Sequence, residues 1–129
     1  MILVDSTAWI SYFRTTHNDV ADKLRKLIDI DADIRLCGAV LMQVLRGVRE
    51  DSQHRKISRI FEAFEYLETD KEIYLAASNI YRTCRAKGFT IRSTIDCLIA
   101  ATALRHDAEV LHDDRDFDII AKFFPLKVF

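Results

Sequence analysis

The sequence predicts an α/β fold around a mainly parallel sheet, and three observations predict it. A short apolar run at residues 2–4 and strand-like segments at residues 34–37 and 109–112 alternate with longer segments whose apolar residues recur at helical spacing. Cap and turn residues separate these segments, as an alternation of strands and helices requires. No linker, repeat or low-complexity stretch interrupts the order, with one Pro and three Gly in 129 residues, so a single domain over residues 1–129 is expected.

Residues 2–4, Ile-Leu-Val, read as a buried strand ended by Asp5-Ser6-Thr7. Ser6 or Thr7 is the expected cap of a helix through Trp9, Ile10 and Phe13. Asn18 caps a second helix, with Val20, Leu24, Leu27 and Ile28 on one face. Residues 34–37 form a second strand. Gly38 precedes a helix carrying Val40, Leu41, Val44 and Leu45, and Gly47 lies near its end. A helix over residues 53–64 aligns Ile57, Ile60, Phe61 and Phe64, and a third strand falls near Tyr66 and Leu67. Residues 70–87 carry the strongest helical pattern, with Gly88 where a C-cap belongs. Ser93 or Thr94 caps the next helix, through Ile95, Leu98, Ile99 and Ala103. Residues 109–112 read as a strand. A short helix with Phe117, Ile119 and Ile120 follows, and residues 127–129 form a final strand.

Composition narrows the function classes. Half of the residues are hydrophobic and 30% are charged, with a net charge of −1; this excludes a disordered chain and gives no global electrostatic sign of nucleic-acid binding. Cys37, Cys84 and Cys97 are far apart and form no CxxC pair, so buried thiols are expected rather than a zinc or redox motif. The start lacks the basic region and long apolar run of a signal peptide, and no apolar stretch approaches the ~20 residues that span a membrane. A soluble cytoplasmic protein with no membrane partner is expected.

Ligands of open α/β sheets bind beyond the carboxyl ends of the strands. Asp5 follows the first strand directly, and Asp113, Asp114 and Asp116 follow the strand that ends at His112. Asp96 lies in the first turn of a helix as the only acid of an otherwise apolar or small-residue stretch. Each acid alone has a local explanation as a helix cap or a solvated turn. Together at one sheet edge they repel: two carboxylates ~4 Å apart cost about 4 kcal/mol at an effective dielectric near 20. A cation relieves that cost, and hard carboxylate oxygens select Mg²⁺ or Mn²⁺. Such ions activate water and steady the leaving oxygen of a phosphodiester.

Four stretches in this order carry a family resemblance: Val4-Asp5-Ser6-Thr7-Ala8-Trp9-Ile10, residues 40–47, Ile95-Asp96-Cys97-Leu98-Ile99-Ala100-Ala101, and Leu111-His112-Asp113-Asp114-Arg115-Asp116-Phe117. With them the chain resembles the PIN-domain ribonucleases, and within these the VapC toxins of toxin–antitoxin pairs. The resemblance implies a three-layer α/β/α, Rossmann-like fold with about five mainly parallel strands. It implies Mg²⁺-dependent endonucleolytic cleavage of RNA such as tRNA or rRNA, with Mn²⁺ as a possible substitute. It implies a homodimer with helices from the first half of the chain at the contact. It also implies a VapB-like antitoxin whose C-terminal segment brings a basic side chain to the acids. Carried over, Asp5, Asp96 and Asp114 hold the metal and Asp116 is a further acid, acting directly or through water; Asp113 is a neighbour.

The departure is at Gln43, where the resemblance implies Glu. Gln keeps the length and one carbonyl oxygen but loses the charge, so an attenuated or inactivated nuclease is expected. A naturally attenuated chain and a substitution introduced to silence a toxic enzyme both fit. Glu50 and Asp51 lie one to two helical turns further on and are poor substitutes for position 43. His112 takes a place where the family tends to have Ser or Thr; it is a structural histidine or a contact to the scissile phosphate. Arg46 meets RNA phosphate, meets antitoxin, or is a solvated helix charge, and Arg92 is equally open. Trp9, Phe13, Tyr66, Tyr74 and Tyr81 read as core or dimer contacts before base-stacking platforms.

Three other readings compete. A response-regulator receiver domain needs an acidic pair after the first strand and a phosphoacceptor Asp after the third, and this chain has neither. A haloacid-dehalogenase phosphohydrolase needs Asp-x-Asp, and Asp5-Ser6-Thr7 lacks the second acid. A PIN fold without catalysis, serving as an RNA- or protein-binding module, is the alternative that Gln43 supports.

Overall fold

A computed structural model describes all 129 residues. In chain order its elements are β1 (Ile2–Val4), α1 (Ser6–Phe13), α2 (Asp19–Asp29), β2 (Ile34–Leu36), α3 (Gly38–Arg46), α4 (Asp51–Phe61), β3 (Glu65–Tyr66), α5 (Lys71–Ala86), α6 (Thr94–Arg105), β4 (Glu109–Leu111), α7 (Arg115–Phe123) and β5 (Lys127–Val128). The five strands form one sheet in the order β3-β2-β1-β4-β5. Every pairing is parallel, so the sheet is wholly rather than mainly parallel. No helix is long and apolar enough to cross a membrane.

β1 is central because all three of its residues are apolar and buried, as a strand covered on both faces requires. The chain moves outward from β1 through β2 to β3, then returns to the other side of β1 with β4 and β5. The strand order therefore reverses between β1 and β4, the switch point at which such sheets open a crevice beyond their carboxyl ends. The ladder continues to that edge, where the Asp5 N–H donates to the Leu111 carbonyl at 2.9 Å.

One continuous core of 33 buried residues joins the sheet to the helices. On one side Trp9 is fully buried, stacked on Phe13 and met edge-on by Phe61 and Phe64. Trp9 and Phe13 are thus core contacts. Tyr66 and Tyr74 remain exposed, and Tyr81 lies under the Arg85 guanidinium. On the other side α6 is buried nearly all round from Asp96 to Ala103, its small residues allowing close packing on α5. The three cysteines are free and buried. Burial above all, with nearby acids and Cys84, pushes the Cys97 thiol up to about 12.

The caps differ in detail from the expected ones. Asp5, rather than Ser6 or Thr7, caps α1, its carboxylate accepting from both the N–H and the hydroxyl of Thr7. Asn18 and Ser93 stand at the expected caps, although Ser93 makes no side-chain cap bond. Asp70 caps α5 through the Ile73 N–H at 3.0 Å. Gly88 follows α5 with φ of +90°, a backbone that L side chains rarely adopt.

Candidate metal centre

The crevice between β1 and β4 collects the acids. Asp5 leaves β1 with its backbone tied to β4, and its Oδ2 accepts from the Thr7 hydroxyl at 2.7 Å and the Thr7 N–H at 3.2 Å. Its Oδ1 is buried with no hydrogen-bond partner. Capping and an unpartnered oxygen therefore coexist in one carboxylate. Asp114 caps α7, its Oδ1 accepting from the Asp116 N–H at 2.9 Å. Asp116 lies two residues on, in the first turn of α7 and buried, its Oδ2 accepting from the Ser93 N–H at 3.3 Å while Oδ1 has no partner. Asp96 sits in the first turn of α6, only 3% exposed, with Oδ2 also unpartnered.

One carboxylate oxygen from each of Asp96, Asp114 and Asp116 lies within 4.8 Å of the others. Ligands on opposite sides of a Mg²⁺ ion with bonds near 2.1 Å stand ~4.2 Å apart, so small side-chain movements suffice to close the set on one ion. Asp5 stands just outside this tightest trio yet near enough for its charge to act on Asp96. Three buried carboxylate oxygens without donors are costly in a folded chain. That cost, beside helix N-termini that favour negative charge, suits a divalent cation, for which the trio of Asp96, Asp114 and Asp116 offers oxygens.

Protonation shows the same crowding. Burial pushes the Asp5 carboxyl above its ordinary range, and its bonds from Thr7 pull it partway back. Asp96 is pushed up to about 8, first by burial, then by the close Asp116 carboxyl group and the charges of Asp5 and Asp114. Without a cation the crowding thus favours a proton retained among the carboxylates, the usual resolution for acids that cannot all ionise.

Gln43 reaches this region from α3. Its Oε1 accepts from the Ser6 hydroxyl at 2.9 Å, next along the chain from Asp5. Glu50 caps α4, and Asp51 opens that helix. Glu50 lines a groove of ≈ 360 Å³ between α1, α3 and α4, with Ile10, Phe13 and Val44, and stands outside the acidic cluster. Arg46 is exposed in the last turn of α3. Asp113 is exposed. The His112 ring is only 5% exposed. It packs on Phe117, and its Nδ1 accepts from the Asp114 N–H at 3.0 Å. It therefore shapes the loop that presents Asp114 and offers little surface to a phosphate.

Two contributors escape sequence reasoning. The Thr7 hydroxyl donates to Asp5 Oδ2 and accepts from the Asp113 N–H at 2.9 Å, so it ties the β1 and β4 ends together. The hydroxyl pair following Asp5 is the one sequence signal for it. The Ser93 N–H on Asp116 is a backbone contact and has no sequence signal. Thr7→Val removes one donor and one acceptor, and the expected loss is about 1–2 kcal/mol of stability, read from urea unfolding. An unchanged midpoint would show that the bridge does not hold the two strand ends.

A family model described as PIN domain matches residues 2–123. The chain is 41% identical over 129 residues to Ribonuclease VapC11 of Mycobacterium tuberculosis, covering 98% of this chain and 96% of that protein. It is 30% identical over 129 residues to Ribonuclease VapC1 of Methanocaldococcus jannaschii, covering 99% and 86%. Among solved structures, VapBC2 from Rickettsia felis bound to a DNA fragment from their promoter superposes with a TM-score of 0.78 at 17% identity, covering 100% of this chain and 98% of that one. At that identity the match shows the fold.

Proposed function

The chain belongs to the PIN-domain family, and within it to the VapC ribonucleases, and from that premise we propose that it is the endoribonuclease toxin of a type II toxin–antitoxin pair, using Mg²⁺ to cut structured RNA such as tRNA or rRNA. The observation that carries this reading is the set of buried, unpartnered carboxylate oxygens of Asp5, Asp96 and Asp116 around the exposed edge of Asp114. In this reading Asp5, Asp96 and Asp114 hold the ion, and Asp116 supports it directly or through water. A divalent ion bound there supplies Lewis-acid polarisation of the phosphodiester and acidifies water. Mn²⁺ is the expected substitute.

The protein's own groups do the positioning. Thr7 fixes the Asp5 carboxylate, the Asp116 N–H and His112 fix the Asp114 loop, and Ser93 fixes Asp116. Gln43 contributes an amide where a carboxylate would accept a proton or complete the ligand set, so this chain works slowly. Arg46, exposed one turn along α3 from Gln43, is suited to an RNA phosphate or to the antitoxin. Residues 1–129 act as one domain, a reading supported by the single continuous core. A homodimer is supported by exposed Met42 on α3 and Tyr74 and Leu75 on α5, so the apolar face extends beyond the first half of the chain. A VapB-like antitoxin with a basic C-terminal side chain would neutralise the acids and block them.

Antitoxin-free protein incubated with tRNA or rRNA is expected to nick it slowly with Mg²⁺ or Mn²⁺ and not at all with EDTA, read by gel. Cleavage unaffected by EDTA would end the metal reading. Gln43 favours a second reading, a PIN-fold RNA- or protein-binding module without catalysis. Binding without cleavage under every divalent ion, including by a Gln43→Glu variant, would select it.

A further inference from the structure

One cation of the chain is paired with the acidic cluster. Arg92 places Nη2 3.5 Å from Asp114 Oδ1 and Nε 3.9 Å from Asp116 Oδ1. Arg46 and Arg115, also exposed, form no ion pair with these acids. The backbone of Arg92 is fixed on both sides. Ile91 before it is buried in the core, and Ser93 after it caps α6 and gives its N–H to Asp116. The side chain itself is 67% exposed. Both ionic distances are long, and Asp116 Oδ1 still has no hydrogen-bond partner. The geometry is a guanidinium on a fixed base, loosely drawn to the acids.

Such an exposed pair is weak, and a doubly charged ion among the same carboxylates competes with it as a like charge. A guanidinium released at the rim of the crevice has the planar fork that suits a phosphate bidentately. Resting on the metal-site reading above, we propose that Arg92 is a swinging, substrate-positioning residue. In the metal-free protein it closes on Asp114 and Asp116, and when a divalent ion occupies the acids it turns to an RNA phosphate beside the bond to be cut. Arg92 thus opposes metal binding and assists RNA binding, two effects of opposite sign from one side chain.

The test uses the full chain with Arg92→Gln and Arg92→Lys. Mn²⁺ affinity is measured by calorimetry, and binding of a fluorescent single-stranded RNA by anisotropy against salt, in Ca²⁺ and in EDTA. Arg92→Gln is expected to bind Mn²⁺ roughly two- to fivefold more tightly, the scale of an exposed ion pair. It is expected to bind RNA several-fold more weakly, with a log–log salt slope shallower by about 0.7–1. Arg92→Lys keeps the charge and is expected to restore most of that slope. A surface role alone would move neither quantity. Wild-type metal affinity together with wild-type salt slope in Arg92→Gln overturns the proposal, and so does tighter metal with an unchanged slope. Failure of the unaltered chain to bind Mn²⁺ defeats the metal-site reading separately. In that case an unchanged slope in EDTA overturns the role of Arg92 and a reduced slope supports its contact with RNA.

Discussion

Gln43→Glu is expected to raise the rate of RNA cleavage in Mg²⁺ or Mn²⁺ by on the order of 10²-fold, the scale on which a ligand-supporting or charge-stabilising group changes metal-site activity. Glu preserves what the structure already uses: its carboxylate still accepts from the Ser6 hydroxyl that now bonds Gln43 Oε1 at 2.9 Å, and that bond becomes charge-assisted. What changes is the other end of the side chain, where an NH₂ that only donates gives way to an oxygen that only accepts. The amide is neutral and is hydrogen-bonded one residue along the chain from Asp5. A carboxylate in its place adds negative charge to this end of the sheet, which raises the repulsion among the acids and deepens the well for a divalent ion. The same substitution should therefore lower the melting temperature in EDTA and enlarge the rise produced by Mg²⁺, by the linkage of ligand binding to folding. Equal cleavage by the two chains would show that position 43 is not part of the chemistry. Inertness of both would move the protein to the binding-module reading.

Much of this site was legible in the sequence because it rests on strand ends. Short strands followed by acids locate β1 and β4, and parallel alternation sends both carboxyl ends to one edge, so Asp5 and Asp114 converge by topology alone. Asp96 was readable as an anomalous acid. Its distance to Asp116 depends on how α6 packs beside α7, a long-range fact that no local pattern encodes. The supporting bonds from Thr7, Ser93 and Ser6 were illegible for a similar reason, since loop geometry decides where a hydroxyl or an N–H points. The end of α4 shows the limit of periodicity. Ile57, Ile60, Phe61 and Phe64 keep helical spacing, yet the helix stops at Phe61. Phe64 reaches Trp9 from a turn, held by its N–H to the Phe61 carbonyl at 3.2 Å. Burial of the ring set the spacing, and the backbone beneath it was free to change.

Asp96→Asn should abolish metal-dependent cleavage, with a loss on the order of 10²-fold or more, while making the metal-free protein more stable. The sign follows from the proton. In the folded chain Asp96 keeps its proton up to about 8, whereas an ordinary Asp loses it near 3.8. Between those values folding takes up a proton, so the unaltered chain loses stability as pH rises through this window and reaches a floor above it. Asn carries no proton to lose, and its amide is neutral at every pH while keeping the size of the carboxyl group. The two chains should therefore match near pH 4 in EDTA and diverge toward pH 8. There Asn is expected to be ahead by on the order of 2 kcal/mol, the scale of one to two pKa units in a coupled set of acids. Thermal melts at both pH values read this directly, at ~3–5 °C per kcal/mol for a domain of 129 residues. Saturating Mg²⁺ should reverse the order, because the ion stabilises only the chain that keeps the carboxylate. A variant that is less stable than the parent at pH 8 without metal, or a difference that does not vary with pH, would mean that Asp96 is no strained ligand but an ordinary buried contact.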